Sequence, residues 1–527
     1  MDTNKKRIAS AINLFEKNPI WKSLLYIITL SILVGFLQGI YIFISQILMV
    51  QLIPLNSNFT NFAIYGTNNV NILINSESII RTVNNITAPF ISIAGAISLG
   101  FGLGTSINYS QALGSGKYEK AKEIYSSGFY TTVIFGILSS IVIVFIANFV
   151  LPTQIGSIDS NPSLGLTSEN ILIYQETVIR FARNFIFMFV GANMLQCLVQ
   201  LLSTCLNSEG KNLFVTIILV SSTIINLIFV FILLKFTQLG VLGSSTASIS
   251  SWVTSIFFLY LYIWWLNYKN STLLLFSSLK VVRIQKWIFL LILGIGATSF
   301  LRNISSSVLA IINNNEIIKV TGAIGEFEDE NFFNNINGAI IPIYNLILSG
   351  IVGIVRGGRT AISYLYSAGK FREVKKVFNI TTITTIIVAI FFYVFSVFIV
   401  GDELLLIFGI TPNDPLIFEN ALISLKINTL SIITFSLGVS GTLFFQSIGD
   451  IKRSNALAIF QGIIVGIPLI YANSALSIAI GGFSGTYLFY SSQVIIFFIS
   501  GLIILGYSYL FLKNKLPNDI ILKLNGV

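Results

Sequence analysis

Apolar stretches of about 20 residues or more, each closed by a short polar turn, recur along the whole chain. A helix of that length crosses the hydrocarbon core of a bilayer. The pattern predicts twelve spanning helices, at roughly 23–50, 86–111, 126–151, 178–205, 213–236 and 241–265, then 287–313, 338–365, 379–401, 418–446, 455–473 and 484–512. Gly104 to Lys122 (GTSINYSQALGSGKYEKAK) looks like a copy of Gly357 to Lys375 (GGRTAISYLYSAGKFREVK). Each is the end of an apolar helix, then a Gly/Ser break, then a basic amphipathic run. Asn207 to Lys211 after the fourth span is likewise matched by Gln446 to Asp450 after the tenth. A duplicated membrane unit is a common plan for transporters whose halves face each other across a pathway.

The turns alternate in charge. Lys5, Lys6, Arg7, Lys17 and Lys22 begin a series that continues at Lys117, Lys120 and Lys122, then Lys211, Lys269, Lys280, Arg283 and Lys286. It ends with Lys370, Arg372, Lys375 and Lys376, then Lys452 and Arg453, then Lys513, Lys515 and Lys523. The opposite connections carry only Arg81 and Lys319. The positive-inside rule then places both termini in the cytoplasm. Six spans per half, both halves starting on the same side, means parallel repeats related by a pseudo-two-fold along the membrane normal. The expected division is a first lobe at 1–265, a cytoplasmic linker at 266–285 and a second lobe at 286–527. Two long Asn-rich loops, 51–85 and 315–337, fall at equivalent external positions. The second carries Glu326, Glu328, Asp329 and Glu330, and the pair is a candidate cap over a central cleft.

Composition agrees with a polytopic membrane protein. The 527 residues are 54% hydrophobic and 10% charged, with a mean hydropathy of +0.85; a soluble domain carries about 25% charged residues. The net charge of +10 is spread over membrane-flanking turns, so it does not point to nucleic acid. The chain has no His, which excludes an imidazole proton relay. Cys197 and Cys205 share one apolar helix and read as small packing residues. The Trp264-Trp265 pair reads as an interfacial anchor, and Pro468 as a kink in the eleventh span. The sequence shows no removable signal peptide, no GxxxxGK[ST] loop, and no HExxH, CxxC or GxSxG motif. A catalytic site, a metal site and a bound cofactor are not expected.

The ionisable residues well inside spans are basic: Arg302 in the seventh, Arg356 and Arg359 in the eighth, and Lys426 in the tenth. Arg302 is about 15 residues from the inner end of its helix, roughly 22 Å deep. Charges at such depth are tolerated facing a cavity or a partner. One reading has each Arg bonded to free carbonyls or a loop carboxylate, locking the lobe. The other has them lining an aqueous cleft, where the planar guanidinium fits phosphate or carboxylate.

The order and spacing of several segments resemble the multidrug and toxic compound extrusion (MATE) transporters, within the multidrug/oligosaccharidyl-lipid/polysaccharide flippase superfamily. These are LGFGLGTSINYSQALGSGKYEKAKEI, LNSEGKN, Ile225-Asn226 within STIINLIFVF, LGVLGSSTASISSW, LGIGATSFLRNISSS, GIVRGGRTAISYLYSAGKFREVKKVF and FFQSIGDIKRSNAL. The resemblance implies an all-α, two-lobed protein with a V-shaped central cleft, and antiport of amphipathic compounds against inward Na⁺ or H⁺. It also implies carboxylates that this chain lacks. The family's first-span Asp falls at Ser45, and the Asp of its fifth-span Asn-x-x-x-Asp falls at Val230, while Asn226 is kept. The seventh-span Pro falls at Thr298, and Gln-Gly-x-Gln-Pro at Arg356-Gly357-Gly358-Arg359-Thr360.

The expected protein is a plasma-membrane exporter working by cation-coupled antiport and alternating access, a monomer whose partners are the lipid bilayer and a small-molecule substrate. The candidate pathway residues are Ser45, Asn226, Arg302, Arg356, Arg359 and Lys426. Ser45 and Asn226 offer neutral oxygens to Na⁺. A basic cleft repels organic cations, so an exporter or flippase of an anionic lipid or metabolite is the first alternative. A transport-inactive scaffold is the second.

Overall fold

The structure is a computed structural model and describes residues 7–55, 76–152, 168–237, 239–279, 286–324, 332–408, 410, 412 and 415–514. Among these, twelve helices are long and apolar enough to span a membrane. They are α1 (Ile20–Ile53), α2 (Ile86–Gly114), α3 (Tyr118–Val150), α4 (Glu176–Ser208), α5 (Asn212–Phe236) and α6 (Val241–Tyr268), then α7 (Lys286–Ile324), α8 (Ala339–Ser367), α9 (Phe371–Ile399), α10 (Pro415–Ser447), α11 (Ile451–Ile480) and α12 (Gly482–Asn514). They form two six-helix lobes, α1–α6 and α7–α12.

The sequence copies fold into copies. Gly116 and Gly369 both take a positive φ, 73° and 75°. The amide after each closes the same loop: Lys117 N donates to Ala112 O and Lys370 N to Leu365 O, both at 2.9 Å. Gly210 and Gly449 repeat the device, with Lys211 N on Leu206 O at 3.1 Å and Asp450 N on Phe445 O at 3.0 Å. A left-handed glycine that folds the next amide back onto the last helical turn is a standard helix stop. Here it sets the basic turns at Gly116, Gly210, Gly369 and Gly449. The repeat also reaches the helix contacts. Gly128 of α3 sits against Thr105 of α2, and at the equivalent place Gly358 of α8 sits against Thr381 of α9. Glycine and threonine have exchanged sides, and the close approach is kept.

The lobes meet along two matching seams, α1 against α8 and α2 against α7. Small residues allow this. A Cβ on Gly353 would lie 2.5 Å from Ser31 O, one on Gly104 2.3 Å from Ile292 O, and one on Gly296 2.7 Å from Gly100 O. Gly104, Gly296 and Gly353 therefore bring the two halves together. A segment ahead of α1 adds a third contact. Its Ile8, Ala11 and Phe15 are buried. Lys211 Nζ donates to Ser10 Oγ at 2.7 Å and Arg7 Nη2 to Asn270 Oδ1 at 3.0 Å, both ties to the first lobe. Phe15 stacks on Tyr364 of α8 in the second, with centroids 4.8 Å apart.

Two expectations change. The 51–85 and 315–337 stretches are largely helical where described: helices run on to Leu55 and Ile324 and restart at Ser76 and Phe332. Charge at Glu316 and Lys319 ends a hydropathy window, but the helical period continues. Ile317, Val320 and Thr321 are fully buried along one face. The acidic cluster 326–330 and the supposed caps lie outside the described residues. Second, α3 and α9 begin at Tyr118 and Phe371, so each basic run is the first turns of a span. Pro468, read as a kink, directly follows a π-helical stretch, Phe460–Gly466, in α11.

Candidate functional site

Gly353 and Gly357 let α8 lie close against α1, and Arg356 and Arg359 flank Gly357. Residues three apart share a helix face, so both guanidiniums stand at the seam. There they line a cavity of about 70 Å3 walled by α1, α2, α4, α5 and α8. Its other lining groups include Ser31, Gln38, Ser203, Thr204 and Asn212, with no carboxylate among them. Arg356 Nη1 donates across the seam to Gln38 Oε1 at 3.4 Å. Arg359 is 4% exposed. Its Nε and Nη1 have no hydrogen-bond partner among the described residues.

Arg302 of α7 does not line this cavity, but its charge is within electrostatic range of Arg356 and Arg359. Its buried Nη1 also lacks a partner among the described residues. The three arginines are thus brought together as the sequence suggested. The locking reading fails for Arg359, because neither Nε nor Nη1 reaches a carbonyl or carboxylate among the described residues. Lys426 separates from them. It is exposed, on a face of α10 shared with Glu419 and Leu430, while Ser424, Leu425 and Thr429 point inward. Sequence depth located it correctly along the helix but could not fix its rotation.

Ser45 and Asn226 belong to a second, neutral cluster inside the first lobe. Ser45 Oγ is 3.1 Å from Ser244 Oγ of α6. The Tyr41 hydroxyl is 2.5 Å from Ser248 Oγ and also within hydrogen-bonding reach of Asn226 and Ser45. Asn226 Oδ1 has no partner among the described residues. Val230, where the family places its second acid, is fully buried in an apolar cluster with Val178, Phe181 and Val241. Thr298, at the family's proline position, donates to Asn455 Oδ1 of α11 at 2.5 Å.

Two buried carboxylates escaped the sequence reading. Glu316, near one end of α7, accepts from Ser474 Oγ of α11 at 2.5 Å and lies 3.5 Å from Lys319 Nζ. Glu209, in the turn between α4 and α5, is fully buried. Its Oε1 accepts from Tyr109 OH at 2.6 Å and Leu273 N at 2.8 Å, and its Oε2 from Thr272 Oγ1 at 2.6 Å. Burial pushes the Glu209 carboxyl above its ordinary pKa, and these bonds and the Lys211 charge oppose that only in part. Burial pushes the Lys211 ammonium down. A short polar residue beside a turn glycine was the signal for Glu209, but its partners are distant in sequence.

Two lobes joined at paired glycine seams around a charged cavity follow a plan common among membrane transporters. The MatE family model matches residues 82–158 and 337–472, one stretch in each lobe. Multidrug export protein MepA of Staphylococcus saprophyticus is 24% identical over 78% of this chain and 83% of its own length. A Mycoplasmoides gallisepticum protein described only as an uncharacterised homologue is 27% identical over 91% of this chain and 89% of its own. Among solved structures, an outward-facing MATE transporter superposes with a TM-score of 0.71 at 16% identity, covering 95% of this chain and 98% of that one. A Pyrococcus furiosus transporter of the MOP superfamily, described as having a binding pocket of reversed polarity that suggests a different function, superposes with a TM-score of 0.74 at 16% identity, with the same coverage. The chain is similar to the MATE transporters, in sequence over those two stretches and in fold over nearly its whole length.

Proposed function

We propose that this chain exports amphipathic small molecules across the plasma membrane by cation-coupled antiport, with both termini in the cytoplasm. The observation that carries the reading is the cavity on the interlobe seam, where Arg356, Arg359, Gln38 and Asn212 stand among apolar side chains. Rocking about the seam exposes that cavity to one side and then the other, as alternating access requires. The MepA relatives, named as multidrug export proteins, support export. The neutral oxygens of Tyr41, Ser45, Asn226, Ser244 and Ser248 suit Na⁺, a hard cation that takes oxygen ligands. With neither carboxylate nor imidazole in that cluster, it has no group to carry a proton near neutral pH.

Inside-out vesicles with imposed Na⁺ or H⁺ gradients test this. Ethidium or a carboxylate dye should accumulate under the Na⁺ gradient and stop on its collapse. Gradient-independent accumulation, or none for any dye, counts against antiport. Glu316→Gln should leave Na⁺-driven uptake within about twofold, since Ser474 keeps an acceptor at the same place. A collapse of uptake in that variant would move the coupling site into the second lobe.

A further inference from the structure

The seam cavity holds positive charge and free donors and no acid. We propose that it binds an oxyanion, the phosphate monoester of a small molecule or lipid headgroup, held by Arg359 and Arg356. This rests on the cavity being the transport pathway.

Arg359 is almost wholly buried, with Nε and Nη1 unpartnered among the described residues. Asn212, also lining the cavity and 4% exposed, has an unpartnered Nδ2. Gln38 Oε1 steadies one nitrogen of Arg356. A buried charge without a counter-charge is strongly disfavoured, and Arg302 adds a third like charge in range. An oxyanion relieves all of this at once. It neutralises the cluster and accepts from the planar guanidinium and the amide. A cationic head would be repelled by the same groups. The volume, about 70 Å3, is several times the roughly 10–15 Å3 that one water needs. A head group fits, while an attached body enters only as the lobes part.

Phenyl phosphate and phenyltrimethylammonium carry one ring and opposite charges. Each would be titrated calorimetrically into the full chain in phosphatidylcholine nanodiscs. Phenyl phosphate should bind and phenyltrimethylammonium should not. Arg359→Gln should weaken phenyl phosphate roughly tenfold or more, the loss of a charged hydrogen-bonding group. Arg359→Lys should fall between, and Lys235→Gln, outside the cavity, should change nothing. Should Arg359→Gln fail to fold, Arg356→Gln serves in its place. Phosphatidic acid in the nanodisc that competes with phenyl phosphate assigns the site to a lipid headgroup; no competition assigns it to a soluble phosphate. No binding of phenyl phosphate, equal affinity in a folded Arg359→Gln variant, or tighter binding of phenyltrimethylammonium overturns the proposal. The two readings fail separately. A chain that exports ethidium but ignores phenyl phosphate loses the anion site only. One that binds phenyl phosphate but moves nothing loses export only.

Discussion

Gly353→Leu should reduce transport at least about tenfold while leaving the separate lobes folded. The Cβ alone would lie 2.5 Å from Ser31 O, 3.1 Å from Ser31 C and 3.2 Å from Ile32 Cα, all backbone of α1. No rotamer change relieves a clash with a helix backbone, so α8 and α1 must separate. Overpacking of this kind costs about 1–3 kcal/mol in a core that can adjust. Here the strain falls on the surface along which the lobes seat. The same seam is tight in reverse, since a Cβ on Gly35 would lie 2.5 Å from Ser349 O. Gly95→Ala is the matched control, because a Cβ there meets nothing within 4 Å. Vesicle uptake measured beside the melting temperature separates the outcomes. Wild-type uptake by Gly353→Leu would show that the seam is not the moving surface.

Glu209→Leu should be the most destabilising single change. It strips the acceptor from Tyr109 OH, Thr272 Oγ1 and Leu273 N, all buried. Each orphaned group costs about 1–3 kcal/mol, and the lost contacts tie α2, the α4–α5 turn and the chain after α6 together. Glu209→Gln keeps the shape and should cost much less. The carboxyl also sets a pH dependence. Its folded pKa is raised by burial above an ordinary value of 4.5, so the folded chain takes up this proton more readily than the unfolded one. Stability therefore falls as pH rises from that ordinary value through the raised one, and is lowest, for this group, above it. Thermal melts across that range should show the slope in the wild type and lose it in Glu209→Gln. A slope that survives the substitution places the titrating group elsewhere.

Most of the helical frame could be read directly, because apolar length and basic turns are local properties. The repeat could be read for the same reason: Gly116 and Gly369 announce a left-handed stop whatever surrounds them. Helix ends were read short at Ile324, Tyr118 and Phe371, where charge interrupts hydropathy but not helical period. The site was half legible. The depth of Arg302, Arg356 and Arg359 follows from counting residues, and their company from adjacent spans. Gln38 and Tyr41 carried no signal, since a lone amide or phenol in an apolar helix is ordinary until its partner, Arg356 or Ser248, is known. The exposed setting of Lys426 could not be read, because about half a turn of helix separates the buried and exposed faces of α10.

The stretch ahead of α1 acts as a tether across the mouth that lies beside the basic turns. Parting the lobes there peels Phe15 from Tyr364, while the grip of Lys211 and Asn270 keeps the stretch with its own half. A parting of the lobes on that face must separate this stacked pair, which is worth about 0.5–1.5 kcal/mol beyond its buried area.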